Sequence, residues 1–271
     1  MAYTLKVKSA QRAEQLLEFD RLLTIMDELR EQCPWDQKQT IQSLRHLTIE
    51  ETYELADAIT QNNLSEIKNE IGDVLLHLVF YAKIASETNE FNIGDVIAHL
   101  CEKLIRRHPH IYGDAKVSNE EEVKQNWEQI KLAEKGNKTD ASVLEGVPAA
   151  LPALVKATRI QEKVKGVGFE WENKEQVWEK VEEEIAEFKH EITENNLEKA
   201  TLEFGDVLFS LVNYARFCKI NPEDALALTN EKFITRFKKM EKLITENQET
   251  ISELPLSKLD EYWNVAKSTE Y

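Results

Sequence analysis

Five carboxylates recur at fixed spacing in two places: Glu50, Glu51, Glu54, Glu70 and Asp73, then Glu183, Glu184, Glu187, Glu203 and Asp206. At 100° per residue, Glu50, Glu51 and Glu54 fall within about a 100° arc of one helix face, and Glu70 and Asp73 lie about 60° apart on the next. A short polar turn between those helices makes them antiparallel, so the five acids face one another. A solvated acidic face is the ordinary use of a single Glu. Here the five acids persist in both copies while their neighbours drift: Asp57 stands opposite His190, Ser65 opposite Glu198 and Glu66 opposite Lys199. Like charges held so close raise one another's pKa and destabilise the helix pair unless a cation neutralises them. An all-oxygen donor set suits a hard cation, Mg²⁺ with Mn²⁺ as a substitute. The competing bundle chemistry is a carboxylate-bridged di-iron centre, which calls for Glu-x-x-His from two helices. Glu187 and His190 supply that once, but Asp57 stands at the counterpart of His190, and Ser210 at that of His77.

Basic residues recur with the acids. Lys103 and Arg107 correspond to Lys232 and Arg236, each pair at i, i+4 spacing and therefore on one helix face. A surface pair at a helix end is the plain use of such residues. Cation-bearing carboxylates with basic side chains opposite are also the equipment for binding a polyphosphate.

These residues sit on a duplicated unit. Positions 50–82 and 183–215 share 17 identities in 33 ungapped pairs, which establishes an internal repeat at an offset of 133. Trp127 and Lys131 match Trp263 and Lys267 further on. Gly136, Gly146, Pro148 and Pro152 mark the join. The expected division is an N-terminal tail over 1–15, a first repeat over 16–134, a linker over 135–152 and a second repeat over 153–271. Leu16, Phe19, Leu22, Leu23, Met26 and Leu29 predict an amphipathic helix that stops at Cys33-Pro34. Ile71, Val74, Leu75, Leu78, Val79 and Ala82 form a second apolar stripe, repeated by Phe204, Val207, Leu208, Leu211, Val212 and Ala215. Strand-like alternation is missing. The expected fold is all-α, two tandem four-helix-bundle-like repeats.

Composition narrows the function. With 34 Lys and Arg against 50 Asp and Glu, the formal charge is −16, which disfavours duplex nucleic acid and anionic membrane surfaces as partners. No apolar run approaches the ~18 residues of a membrane span, and Met1 to Ala10 lacks the apolar middle of a secretory signal. Cys33, Cys101 and Cys218 are scattered and form no C-x-x-C pair, so a cytoplasmic setting is expected.

Glu-Glu-x-x-Glu followed by Glu-x-Gly-Asp on the next helix resembles the MazG-type nucleoside triphosphate pyrophosphohydrolases, all-α enzymes related to the dimeric dUTPases. Cys-Pro-Trp-Asp at 33–36, Leu-Thr-Ile-Glu-Glu-Thr-Tyr-Glu at 47–54 and Arg-Arg-His-Pro-His at 106–110 are similar to that family as well. The likeness runs from about Leu16 to the end, tandem arrangement included. It implies Mg²⁺-dependent hydrolysis of nucleoside triphosphates to monophosphates and pyrophosphate by a homodimer that dimerises through the bundles, broad in base, for housekeeping or regulation of nucleotide pools. It also implies that the second repeat is the competent one. Carried over by position, Glu184, Glu187, Glu203 and Asp206 would hold magnesium. Lys180, Glu183, Lys199, Lys232, Arg236 and Trp263 would line the nucleotide. Glu50, Glu51, Glu54, Glu70, Asp73, Lys103, Arg107 and Trp127 form a second candidate site in the first repeat. Where relatives often carry Glu just before the second metal Glu, this chain has Leu202 and Asn69.

Glu183 stands first in its cluster and is not needed as a ligand, so it is the candidate for orienting or deprotonating the attacking water, with Glu184 and Glu187 completing the catalytic set. Lys232 and Arg236 would stabilise charge developing on the phosphates. Gly166-Val-Gly168 predicts a turn, and His108-Pro109-His110 a helix stop. Trp35, Phe169 and Trp171 would either stack a base or, as is commoner for such aromatics, fill the core. A non-catalytic nucleotide-binding or regulatory module is the alternative function, and two intact acid pentads favour an enzyme over it.

Overall fold

A computed structural model describes residues 9–134 and 142–268, and every regular element among the described residues is helical. Parts of the expected tail (1–8) and linker (135–141) lie outside the described residues. The chain divides into two compact units, Met1–Val117 and Ser118–Tyr271.

The first unit contains α1 (Ala10–Gln32), a 3₁₀ turn at Asp36–Lys38, α2 (Ile41–Thr60), α3 (Leu64–Ser86), α4 (Ile93–Arg107) and the short α5 (Pro109–Tyr112). The second contains α6 (Glu120–Glu134), α7 (Ala153–Lys165), α8 (Lys174–Thr193), α9 (Leu197–Phe217), α10 (Pro222–Glu246), a 3₁₀ turn at Ile251–Glu253 and α11 (Leu256–Ser268). Helix α1 starts before Leu16, because Ser9 caps it by accepting from the Arg12 amide at 3.1 Å, so residues 10–15 are helix rather than tail. Helix α6, which carries Trp127, groups with the second unit although the sequence repeat extends to residue 134.

The turn that opposes the acid helices is built identically in both units. Asn62 and Asn195 adopt φ of 53° and 55°, a left-handed conformation that Asn tolerates better than most residues. The following Asn63 and Asn196 then cap α3 and α9 through their side-chain oxygens. Their backbone amides also close onto the carbonyls of Ala58 and Glu191, both at 3.0 Å. Two adjacent asparagines thus end one helix and start the next. The result is an antiparallel pair, α2 with α3 and α8 with α9, packed along its length.

Apolar packing holds each pair. In the first unit, Met26, Leu44, Val79 and Phe80 are buried, with Phe19, Leu22, Leu23 and Leu47 against them. In the second, Val177, Val181, Ala200, Val207 and Val212 are buried on α8 and α9. Met240, Ile244 and Ala266 join α10 to α11, with Phe237 and Trp263 packed on them. The second apolar stripe is only partly inside: Val79 and Ala82 are buried, whereas Ile71, Leu78, Phe204 and Leu208 are exposed. Among the described residues, no helix is long and apolar enough to cross a membrane.

An ion pair fixes the start of α2 in the first unit. Arg30, at the end of α1, grips Glu87 after α3 with two bonds of 2.8 and 2.7 Å, and also donates to the carbonyls of Asp36 and Gln39. Hydrogen bonding from Arg30 holds the Glu87 carboxyl below its ordinary value. Glu87→Gln is expected to destabilise the first unit by about 1 kcal/mol after solvent screening of this partly exposed group. That contribution is complete at neutral pH and is lost as pH falls below 4.5 through the lowered folded value. Denaturant titrations of wild type and variant should therefore differ at neutral pH and converge in acid.

Candidate active site

Helix α8 turns Glu184 inward and leaves Glu187, one turn on, at the open side of the α8–α9 pair. Glu184 is only 8% exposed. Glu203, on α9, completes a group in which one carboxylate oxygen from each of Glu184, Glu187 and Glu203 lies within 4.8 Å of the others. Asp206, one turn after Glu203, lines a neighbouring cavity together with Glu184 and Lys180. In the first unit the corresponding group is Glu51, Glu70 and Asp73, again within 4.8 Å of one another. Glu70 is 9% exposed, and its Oε2 is buried without a hydrogen-bond partner.

Electrostatics register the crowding. Burial raises the Glu203 carboxyl above the usual carboxylate range, and the charges of Glu187, Asp206, Glu184 and Glu191 add to that. Burial likewise raises Glu70, reinforced by Glu54, Asp73, Glu51 and Glu66. Glu51 is raised by burial, Asp73, Glu54 and Glu50. In the first unit the charges of Glu54 and Asp73 thus act on both Glu51 and Glu70. A donor set made only of carboxylate oxygens, crowded enough to resist ionisation, fits a hard divalent cation. Among the described residues neither acid group includes a histidine, and His190 is exposed on α8, which removes the di-iron ligand pattern.

Lys180 brings a positive charge to the acids of the second unit. Its Nζ lies 2.8 Å from Glu184 and 3.0 Å from Glu183, and these bonds, Glu184's foremost, raise its pKa. Glu183 is outside the converging trio and held by Lys180. Lys199 lies 3.8 Å from Glu191. Lys232 is exposed on α10 and Arg236 half-buried beside it, while Trp263 packs on Phe233 with ring centroids 5.0 Å apart. None of Lys199, Lys232, Arg236 or Trp263 lines the cavity beside the acids. In the first unit Lys103 and Arg107 are half-buried on α4.

That cavity measures about 500 Å³ and lies within the second unit, among α7, the turn after it, α8 and α9. Its apolar wall includes Ile160, Val164, Val177 and Phe209, and its polar groups include Gln161, Ser210, Asn213 and Arg216. The turn at Gly168 (φ 86°) brings Phe169 and Trp171 to the cavity. Both aromatics, and Trp35 in the first unit, are exposed rather than core. Glu170, between them, is bound to Arg216, and Phe169 and Trp171 line the cavity while staying exposed. Motif spacing missed Gln161, Asn213 and Arg216. The available signal was divergence between copies: Lys180, Ser210 and Asn213 stand opposite Leu47, His77 and Phe80. In the first unit Phe80 is buried and Leu47 packs on the core. His77 is also buried, and desolvation depresses its pKa against the pull of Asp73.

The family model for the MazG nucleotide pyrophosphohydrolase domain matches the chain twice, over residues 39–112 and 172–241. The nucleoside triphosphate pyrophosphohydrolase/pyrophosphatase MazG of Thermotoga maritima is 49% identical over 251 residues, 92% of this chain and 95% of that protein. The nucleoside triphosphate pyrophosphohydrolase of Escherichia coli K12 is 40% identical over 258 residues, 93% of this chain and 98% of that protein. A crystal structure of a mazG-related protein from Thermotoga maritima aligns with a TM-score of 0.38 and 30% identity, over 42% of this chain and 98% of that one.

Raised carboxylates bind protons more tightly in the folded than in the unfolded chain. The metal-free protein should therefore gain stability from them as pH falls from neutral toward their raised values above 4.5. Magnesium should relieve the same repulsion at neutral pH, raising Tm by on the order of 5 °C at a hundredfold excess over Kd. Calorimetry of Glu203→Gln should show a higher metal-free Tm and a smaller magnesium increment. An unchanged increment would contradict the cluster as the binding site.

Proposed function

Since the chain belongs to the MazG nucleotide pyrophosphohydrolase family, we propose that it hydrolyses nucleoside triphosphates to monophosphates and pyrophosphate, using its second unit. The observation that carries this reading is the convergence of Glu184, Glu187 and Glu203 beside a cavity that Lys180, Glu184 and Asp206 line. Glu184, Glu187, Glu203 and Asp206 would hold Mg²⁺, with Mn²⁺ as a substitute. When bound, such an ion supplies charge neutralisation of the polyphosphate and a water of lowered pKa.

The chain's own groups do the remainder. Glu183, oriented by Lys180 at 3.0 Å, accepts a proton from the attacking water at a carboxylate oxygen. Lys180 contributes positive charge to the phosphate side of a cavity that is otherwise acidic there. Lys199, Lys232, Arg236 and Trp263 are nucleotide contacts in this proposal on the strength of the family likeness. The apolar wall holds the base without demanding one ring system, which supports broad base tolerance and a housekeeping or regulatory role in the nucleotide pool. A cytoplasmic setting, where those pools are made and spent, completes it.

The first unit keeps the acids, but Leu47 and Phe80 belong to its core where the second unit has Lys180 and Asn213, and its own hollow opens elsewhere, beside Glu54, Asp57, Gln61 and Glu70. This difference supports a cation-holding first unit and a catalytic second one. Dimerisation is part of the proposal too, supported by exposed apolar side chains on α3 (Ile71, Leu78) and α4 (Val96, Ile97, Leu100).

Glu187→Gln is expected to cut pyrophosphate release from a mixed nucleoside triphosphate pool by on the order of 100-fold or more, with an unchanged circular dichroism spectrum. Glu54→Gln, its counterpart, should leave the rate within about twofold. Undiminished triphosphate consumption by Glu187→Gln would overturn the assignment.

A further inference from the structure

Gln161 is 4% exposed, on α7, and forms part of the cavity wall in the second unit. Its Nε2 donates to the Phe209 carbonyl at 2.8 Å, which fixes the orientation of the amide. Its Oε1 is then a buried acceptor with no hydrogen-bond partner. Buried polar atoms are normally satisfied, and an orphan of this kind marks a place where a partner belongs.

A second amide in the same wall is fixed in the opposite sense. Glu170 grips Arg216 with bonds of 2.7 and 2.6 Å. Arg216 in turn donates to the Asn213 side-chain oxygen at 2.7 Å. With that oxygen occupied, the Asn213 amino group is the face that can serve a ligand as donor. The cavity therefore presents one acceptor and one donor of set polarity, between an apolar wall and the Phe169 ring, which is 79% exposed at the turn. Flat, largely apolar, with a donor beside an acceptor on one edge: that describes a nucleobase. From Asp206 to Asn213 is about 10 Å along α9, leaving a ribose-sized gap between the acids and the amides.

We propose that this cavity takes the base of the nucleotide and that Gln161 reads it, its Oε1 accepting a hydrogen bond from an N–H on the base edge. The proposal rests on the pyrophosphohydrolase reading above and specifies it. Every ordinary base carries such an N–H, so Gln161 admits all of them and rejects a ring that lacks one. A site built to accept a hydrogen bond discriminates strongly against an analogue missing the donor, because the acceptor is left desolvated and unpaired.

The test compares ATP with purine riboside triphosphate, which lacks the exocyclic amine and any N–H on that edge. Wild type should favour ATP by about tenfold or more in kcat/KM for pyrophosphate release. Gln161→Met, similar in volume and without the acceptor, should bring the ratio to within about twofold, mostly by losing rate on ATP. The ratio is taken within one preparation, so a partly misfolded variant lowers both rates and leaves it intact. A wild-type ratio near one, or a ratio that survives Gln161→Met, would overturn the role of Gln161 while leaving the hydrolase reading standing. Release of pyrophosphate from neither substrate would overturn the hydrolase reading and this one with it.

Discussion

Mutual repulsion among carboxylates held between two antiparallel helices is the constraint on which each unit is organised. Glu203 and Glu70 sit where burial and three or more neighbouring acids oppose ionisation. A chain free to relax would splay these side chains into solvent. It does not, because the Asn-Asn turns lock helix against helix and the apolar residues behind the acids, Val177, Val181 and Val207 in the second unit, hold that register. The folded scaffold stores an unfavourable charge arrangement that a bound cation would relieve.

Duplication preserved that charge arrangement and changed what lies beside it. Opposite the second unit's Lys180, Ser210 and Asn213, the first has Leu47, His77 and Phe80. Phe80 and His77 are buried and Leu47 packs on the core, so bulk occupies the first unit where the second has a cavity wall. Arg30 with Glu87 and Arg216 with Glu170 form similar two-bonded clamps, one in each unit. In the first the clamp reaches backbone carbonyls before α2, whereas in the second it orients Asn213 at the cavity. Comparable ion pairs thus brace backbone in one copy and an amide at the cavity in the other.

The acid pentads and the Asn-Asn turn were legible in the sequence because both are local, with spacing and residue type stating the geometry. The helix pairing followed from them. The cavity was not legible, since Gln161, Glu170, Lys180 and Asn213 come from four separate segments and share no motif. The stripe through Ile71, Leu75 and Leu78 has helical periodicity but does not say which of its edges is covered, and half of it faces outward. Phe169 and Trp171 show the same limit, as aromatic character predicts burial in general and a tight glycine turn overrides it here.

Anomalous diffraction from crystals soaked in Mn²⁺ decides whether the crowded carboxylates hold a cation. That role predicts a peak between α8 and α9, where oxygens of Glu184, Glu187 and Glu203 converge, and a second peak among Glu51, Glu70 and Asp73. Well-ordered crystals whose anomalous maps are featureless at both clusters, with the carboxylates turned out to solvent, would contradict it.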